Sequence, residues 1–205
     1  MSAVPVEMPH EGRPRTLLAV AIDIMDRMPG YRVEIIGDQI IVSPPPDGAH
    51  ARALTKLMRP FIAAGLDEEE TSVVQGVGLW LPEQENPQFA VPDLAVVDND
   101  FDDHLVKLNC YEAVCFRLVL EVTSTQWAGD LLTKVSAYAE AKVPVYVVVD
   151  RKHQRLHVMT DPTGDEYANR RVHAPGEVVT LPDSIGAKVT LDVDQILKAG
   201  QPKVN

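Results

Sequence analysis

The chain has 205 residues, 45% of them hydrophobic and 24% charged, the balance of a globular protein and not of a disordered or membrane-spanning one. Its length is one ordinary domain's worth, enough to bury a core and too short for two full enzyme domains. With 30 acidic against 19 basic side chains the formal net charge is −11, which argues against a basic, phosphate-hugging nucleic-acid binder.

Residues 1–10 are acidic and proline-containing, without the basic and long apolar regions of a secretory signal. Residues 14–28 place Leu17, Ala21, Ile24, Met25 and Met28 at helical spacing, with Arg15, Asp23, Asp26 and Arg27 elsewhere; this predicts an amphipathic helix closed by Pro29-Gly30. Residues 31–36 and 39–42, separated by Gly37-Asp38, predict a β-hairpin, and Ser43-Pro44-Pro45-Pro46 forces an extended exit from it. A second helix is predicted over about 48–64, with Leu54, Leu57, Met58 and Phe61 on one side and Gly65 as a stop.

After the acidic run 67–70, strands are expected over 72–81 and 89–97, joined by a polar loop at 82–88. Residues 118–123 make a strongly apolar strand, 129–141 a helix and 145–149 another apolar strand. Apolar runs flanking a helix predict strands covered on both faces and joined by a right-handed βαβ crossover. In the tail, 156–159, 171–172, 177–181 and 189–191 predict short antiparallel strands with Asp-Pro, Thr-Gly and Pro-Gly turns. No internal repeat or low-complexity linker interrupts the chain. One α/β domain with a mixed sheet is therefore expected over 1–205, made of an N-terminal helix at 14–28, a core at about 31–150 and a C-terminal β extension at 151–197.

The longest apolar stretches, 17–22 and 145–149, fall far short of the ~18 residues of a membrane-spanning helix. Cys110 and Cys115 make a poor disulfide framework, so half-buried free thiols in a cytoplasmic protein are expected.

Two carboxylates stand where apolar packing would not put them. Asp93 in Ala90-Val91-Pro92-Asp93-Leu94-Ala95-Val96-Val97 and Glu121 in Leu118-Val119-Leu120-Glu121-Val122 are each embedded in an apolar strand. A buried charge is costly unless it meets a cation, a hydrogen-bonding cage or a raised pKa. If the two strand ends meet, they form a hard-oxygen site suited to Mg²⁺ or Mn²⁺. If they do not, each is a separate strand-end acid capped by backbone amides or solvent. On the next helix Asp130, Lys134 and Tyr138 are spaced four apart and share a face. Either Asp130 and Lys134 form an exposed ion pair, or Lys134 swings toward the carboxylates, where its ammonium could orient an attacking water or stabilise charge developing on phosphorus.

Together, Pro92-Asp93, then Glu121-Val122-Thr123-Ser124, then Asp130, Lys134 and Tyr138, then Val143-Pro144-Val145-Tyr146 with Val149-Asp150, resemble the pattern of the Uma-type "putative restriction endonuclease" family of the PD-(D/E)XK nuclease superfamily. The hairpin from Tyr31-Arg32-Val33-Glu34 to Ser43-Pro44-Pro45, and His50, resemble that family's N-terminal part. The likeness covers about 31–150 firmly and the tail loosely. It implies a restriction-endonuclease-like α/β fold, a mixed β-sheet core flanked by helices, with an N-terminal hairpin and C-terminal short antiparallel strands. It further implies that Asp93 and Glu121 ligate a divalent metal, Mg²⁺ or Mn²⁺, helped by the Val122 carbonyl, and that Lys134 joins them in catalysis. The superfamily lysine would stand two residues after the glutamate, where this chain has Thr123; the family as a whole shows that departure, and Lys134 is the natural substitute. Glu34 and His50 match family positions, and either support the site or are a hairpin-face acid and a helix-start histidine. Lys142 and Val145 depart from the family's usual Gly and Glu without touching the chemistry. The implied activity is metal-dependent hydrolysis of phosphodiester bonds of DNA, and a homodimer would bring two sites to the two strands of a duplex.

Other signals carry less. The stretch Asp98-Asn99-Asp100-Phe101-Asp102-Asp103 begins like a calcium loop, but Asp103 and Asn109 stand where such a loop needs Gly and Glu, so an exposed acidic loop is expected. His153 and His157 have a zinc-like spacing but fall in a turn and a strand, where they share no helical face. Gly76-Val77-Gly78 lacks the rest of a dinucleotide fingerprint, and Ser124 lacks a sequence-evident base. Two other function classes stay open: a non-catalytic binding or regulatory protein that retains the nuclease fold, and a metal-dependent hydrolase of small phosphoesters. Arg13, Arg15, Arg52, Lys56, Arg59, Arg151, Lys152 and Arg155 offer phosphate contacts if they flank the cleft, so weak and strongly salt-sensitive binding to nucleic acid is predicted.

Overall fold

Helix α1 (Leu17–Arg27) begins where the Thr16 hydroxyl accepts the Ala19 amide at 3.2 Å, in a computed structural model that describes residues 15–82, 86–123 and 128–201, without the side chains of 128–132. β1 (Arg32–Ile36) and β2 (Gln39–Ser43) pair antiparallel from Arg32↔Ser43 to Ile36↔Gln39. Gly37 and Asp38 both take φ of 57°, the conformation a two-residue hairpin turn demands. Helix α2 (Gly48–Ala63) is capped by Asp47, whose carboxylate accepts the His50 amide at 2.7 Å. It ends at Gly65, where φ of 82° lets the Leu66 amide reach back to the Phe61 carbonyl.

Each of the two strands expected over 72–81 and 89–97 breaks in two. β3 (Thr71–Val74) separates from β4 (Gly78–Trp80) at Gly76, which takes φ of 72°, and β5 (Phe89–Ala90) separates from β6 (Leu94–Asp98) at Pro92, which has no amide to give a ladder. β7 (Leu105–Lys107) and β8 (Cys110–Glu112) follow as a small hairpin that is absent from the expected elements. Then come β9 (Phe116–Val122), α3 (Ala128–Glu140), β10 (Val145–Asp150), β11 (Arg155–Thr163), β12 (Glu166–His173), β13 (Val178–Thr180), β14 (Thr190–Asp192) and α4 (Val193–Ala199).

The α/β architecture is as expected, but the strands form two six-stranded sheets in place of one. The first has the order β2-β1-β5-β4-β8-β7, the second β12-β11-β10-β9-β6-β3, and β13 pairs with β14. β9 and β10 run parallel and are joined by α3, as their continuous apolar runs predict. β11 and β12 are nine and eight residues long and extend the second sheet, so the tail is not made of short strands alone; Pro162 lies within β11 and not in a turn. α4, absent from the expected elements, is capped by Asp192 and buries Val193, Ile196 and Leu197.

Alternation along the second sheet sorts its side chains to two sides. Leu118, Leu120 and Val122 of β9 and Val145, Val147 and Val149 of β10 pack with residues of α2 and α4; Val119, Tyr146 and Val148 pack with residues of α3 and the first sheet. Ala21 of α1 packs with Val33 and Ile35 of β1. Cys110 and Cys115 are free thiols, more buried than expected, and burial pushes both up to about 12. Among the described residues no helix is long and apolar enough to cross a membrane.

Candidate active site

The same two-residue period decides which polar groups meet. On β9, Glu121 is out of phase with Leu118, Leu120 and Val122, so it turns with Val119 toward α3. Leu94 pairs with Leu120 in antiparallel β6–β9, so Asp93, one step beyond, stands beside Glu121. On β1, Val33 and Ile35 go to the α1 side, which leaves Arg32, Glu34 and Ile36 facing the second sheet. Helix α3 supplies Lys134 and Tyr138 one turn apart, and the first turn of α2 supplies His50.

These groups interlock. Lys134 Nζ donates to Glu121 Oε1 at 2.7 Å and lies 2.9 Å from Glu34 Oε1, while Tyr138 Oη donates to Glu121 Oε1 at 3.0 Å. Arg32 Nη1 donates to Asp93 Oδ1 at 2.6 Å and stands 3.9 Å from Glu121 Oε2, with its Nε 3.7 Å from Glu34 Oε2. Asp93 Oδ2 accepts the Val122 amide at 2.7 Å and lies 3.4 Å from His50 Nε2. Where the chain passes from the first sheet to the second, the Val91 amide donates to Glu34 Oε1 and its carbonyl accepts Arg32 Nη1 at 3.0 Å. Glu34 and Arg32 therefore hold the segment that delivers Asp93.

Burial works against the Lys134 ammonium, but Glu121 and Glu34 outweigh it and raise its pKa above the usual lysine range. Lys134 is thus a fixed cation, not a base near neutral pH. Burial raises Glu121 in spite of Lys134, whereas Asp93 overcomes its own burial through His50, Arg32 and the Val122 amide and falls to about 2. Burial also pushes the Tyr138 phenol up, so it stays a hydrogen-bond donor.

A cavity of about 660 Å³ opens onto Arg32, Glu34, His50, Asp93, Glu121 and Lys134, within the range of small-ligand sites. All five side chains singled out from the sequence thus come together. Val122, expected to help through its carbonyl, lines the same cavity and also gives its amide to Asp93. Lys134 is buried and paired with strand acids, so it is not half of an exposed ion pair; the side chain of Asp130 lies outside the described residues, as does Ser124. At Thr123, where the superfamily lysine would stand, the hydroxyl donates to the Val149 carbonyl at 3.2 Å. Arg32 carried no site role in the sequence, yet the signal was present: it is two residues before a strand glutamate on the same face, and a buried acid needs a cation.

The other candidates fall elsewhere. His153 and His157 share the buried Asp150, with ring nitrogens 2.8 and 3.8 Å from its Oδ2. Asp98 pairs with Arg117, and residues 101–104 form a short 3₁₀ turn with no buried side chain. Of the basic side chains offered for phosphate contacts, Arg151 lines the cavity and pairs with Asp47, Arg15 pairs with Asp23, and Arg52 donates to the Gln201 carbonyl; Arg13 lies outside the described residues.

A family model, Uma2, described as "Putative restriction endonuclease", matches residues 21–194. A search of curated proteins finds no match. Among solved structures the fold is similar to that of a protein from Anabaena variabilis described as a "putative nuclease belonging to DUF820". The TM-score is 0.64 at 16% sequence identity, with 88% of this chain and 99% of that chain covered, a likeness of fold.

Proposed function

Because the chain belongs to the Uma2 family, described as "Putative restriction endonuclease", we propose that it hydrolyses phosphodiester bonds of DNA with the help of a divalent cation. The observation that carries this reading is the convergence of Asp93 and Glu121 from neighbouring strands with the Lys134 ammonium hydrogen-bonded to Glu121.

The donor set fits a hard divalent cation. Among the described residues no three His, Cys, Asp or Glu side chains form a preformed ligand shell, but Mg²⁺ needs only one or two carboxylates and keeps several waters. Asp93 and Glu121 would hold the ion, with the Val122 carbonyl as the expected third group. The ion would supply the acidity of a bound water and the polarisation of a phosphodiester oxygen.

The chain's own residues do the rest. Lys134, held charged by Glu121 and Glu34, presents a permanent cation that can orient the attacking water and offset charge building on the phosphate. Tyr138 and Lys134 fix one Glu121 oxygen, and His50 and the Val122 amide fix one Asp93 oxygen, so the two carboxylates keep their orientation. Arg151, which lines the cavity and pairs with Asp47, would exchange that partner for a phosphate.

The test is cleavage of single- and double-stranded DNA by the purified chain with Mg²⁺ or Mn²⁺. Glu121→Gln and Asp93→Asn are expected to lower the rate at least 100-fold, on the scale of losing a transition-state electrostatic group. Absence of cleavage across substrates and metals, or full activity in both variants, would overturn the proposal.

A further inference from the structure

Three carboxylates, Glu34, Asp93 and Glu121, are ion-paired with two permanent cations, Arg32 and Lys134, and the two cations are held differently. Lys134 is 8% exposed, sits between Glu121 and Glu34, and comes from a helix packed on the sheet. Arg32 is 28% exposed, is the first residue of β1, and places Nη1 2.6 Å from Asp93 Oδ1 and 3.9 Å from Glu121 Oε2. That nitrogen therefore lies within 4 Å of both carboxylates that would share a divalent cation. We propose that Arg32 is a resident counter-ion, and that its guanidinium must withdraw from Asp93 and Glu121 before these two carboxylates can take a divalent cation.

The proposal rests on the metal-dependent reading above and adds a competitor to it. Its physical basis is charge balance in a buried site. With Arg32 withdrawn, three carboxylates and the Lys134 ammonium leave two negative charges, which one divalent cation neutralises. With Arg32 in place, the added ion would make the site net positive and would lie within about 4 Å of a guanidinium, where like charges repel strongly in a poorly solvated cavity. The ion would also compete for Asp93 Oδ1, already in a 2.6 Å charge-assisted hydrogen bond. Arg32 is the more exposed of the two cations, 28% against 8%, and starts at a strand end; its withdrawal would also release the Val91 carbonyl and loosen the segment that carries Asp93.

The experiment is Mn²⁺ binding to the purified chain, by calorimetry and by electron paramagnetic resonance of the free ion, with wild type, Arg32→Met, Arg32→Lys and Glu121→Gln. Arg32→Met is expected to bind Mn²⁺ at least tenfold more tightly than wild type, Arg32→Lys to fall between them, and Glu121→Gln to lose the site. Equal or weaker binding by Arg32→Met, with Glu121→Gln still abolishing it, overturns the competition and leaves the metal reading standing. No binding by any of the four overturns both. A second readout needs no variant at position 32: in the wild-type nuclear magnetic resonance spectrum, saturating Mg²⁺ is expected to shift the Arg32 Nε–H signal and speed its exchange with solvent. An unmoved signal in the metal-bound protein overturns the proposal.

Discussion

Lys134 lies within 3 Å of two buried carboxylates, so its removal leaves both without their nearest cation. Lys134→Met is expected to destabilise the fold by about 3–5 kcal/mol, the cost of breaking a buried ion pair from one side, measured as a drop in urea-unfolding free energy. Tyr138→Phe removes one hydrogen bond to the same Glu121 oxygen and should cost less, roughly 1.5–3 kcal/mol. If the tyrosine change costs more than the lysine change, the ammonium is not the main partner of Glu121. Asp93 adds a pH dependence of known sign. Its pKa falls from the ordinary 3.8 to about 2 on folding, so its stabilising contribution is whole above pH 3.8 and is lost as the pH drops toward 2. That contribution is on the order of 2 kcal/mol. Burial moves Glu121 the opposite way, so the contrast to measure, in metal-free buffer, is wild type against Asp93→Asn. The stability gap between them should narrow from pH 6 to pH 2.5 (about the span of the shift), and a gap that stays constant would show that folding does not favour the Asp93 carboxylate.

At the scale of elements, the close approach of β4 and β8 is set by a glycine. Gly78 pairs with Cys110 in parallel register, and a Cβ at Gly78 would collide with Cys110 Sγ. Gly78→Ala is therefore expected to cost about 1–3 kcal/mol through overpacking. Cys110→Ala in that background should restore part of the loss and not all, because the Cys110 Cβ stays at 3.2 Å; no recovery at all would mean that the sulfur is not the obstacle. Element identity was readable from local pattern in α1, the β1–β2 hairpin, α2 and the β9–α3–β10 unit, where periodicity and turn residues agree. It failed where a single apolar run serves two sheets, as at Gly76 and Pro92. It also failed at β7, whose three residues are all exposed and so show no alternation between buried and exposed positions.

At the scale of the whole molecule, the formal charge of −11 opposes a polyanion, and the cavity that holds Arg32, Lys134 and Arg151 also holds Glu34, Asp47, Asp93 and Glu121, so attraction rests on a few local cations. Under the proposed function, binding of a fluorescently labelled DNA duplex in metal-free buffer should be weak and should fall steeply between about 50 and 200 mM salt. Arg151→Ala should weaken it by a similar factor for unrelated sequences, as expected for a phosphate contact; affinity indifferent to salt would contradict an electrostatic footprint of this kind. By itself the sequence determined the α/β class, most helices and strands, and the anomaly of Asp93 and Glu121 in apolar runs, because periodicity and the cost of burying charge are properties of a local stretch of chain. Lys134 was legible as one of two outcomes, since helical spacing gives its face but not what that face meets. Only the tertiary structure decided that Lys134 bonds Glu121 and Glu34, and that Arg32, 61 positions from Asp93, lies against it and near Glu121. Such contacts depend on how the two sheets and α3 come together, and residues that distant in sequence leave no shared period by which to find one another.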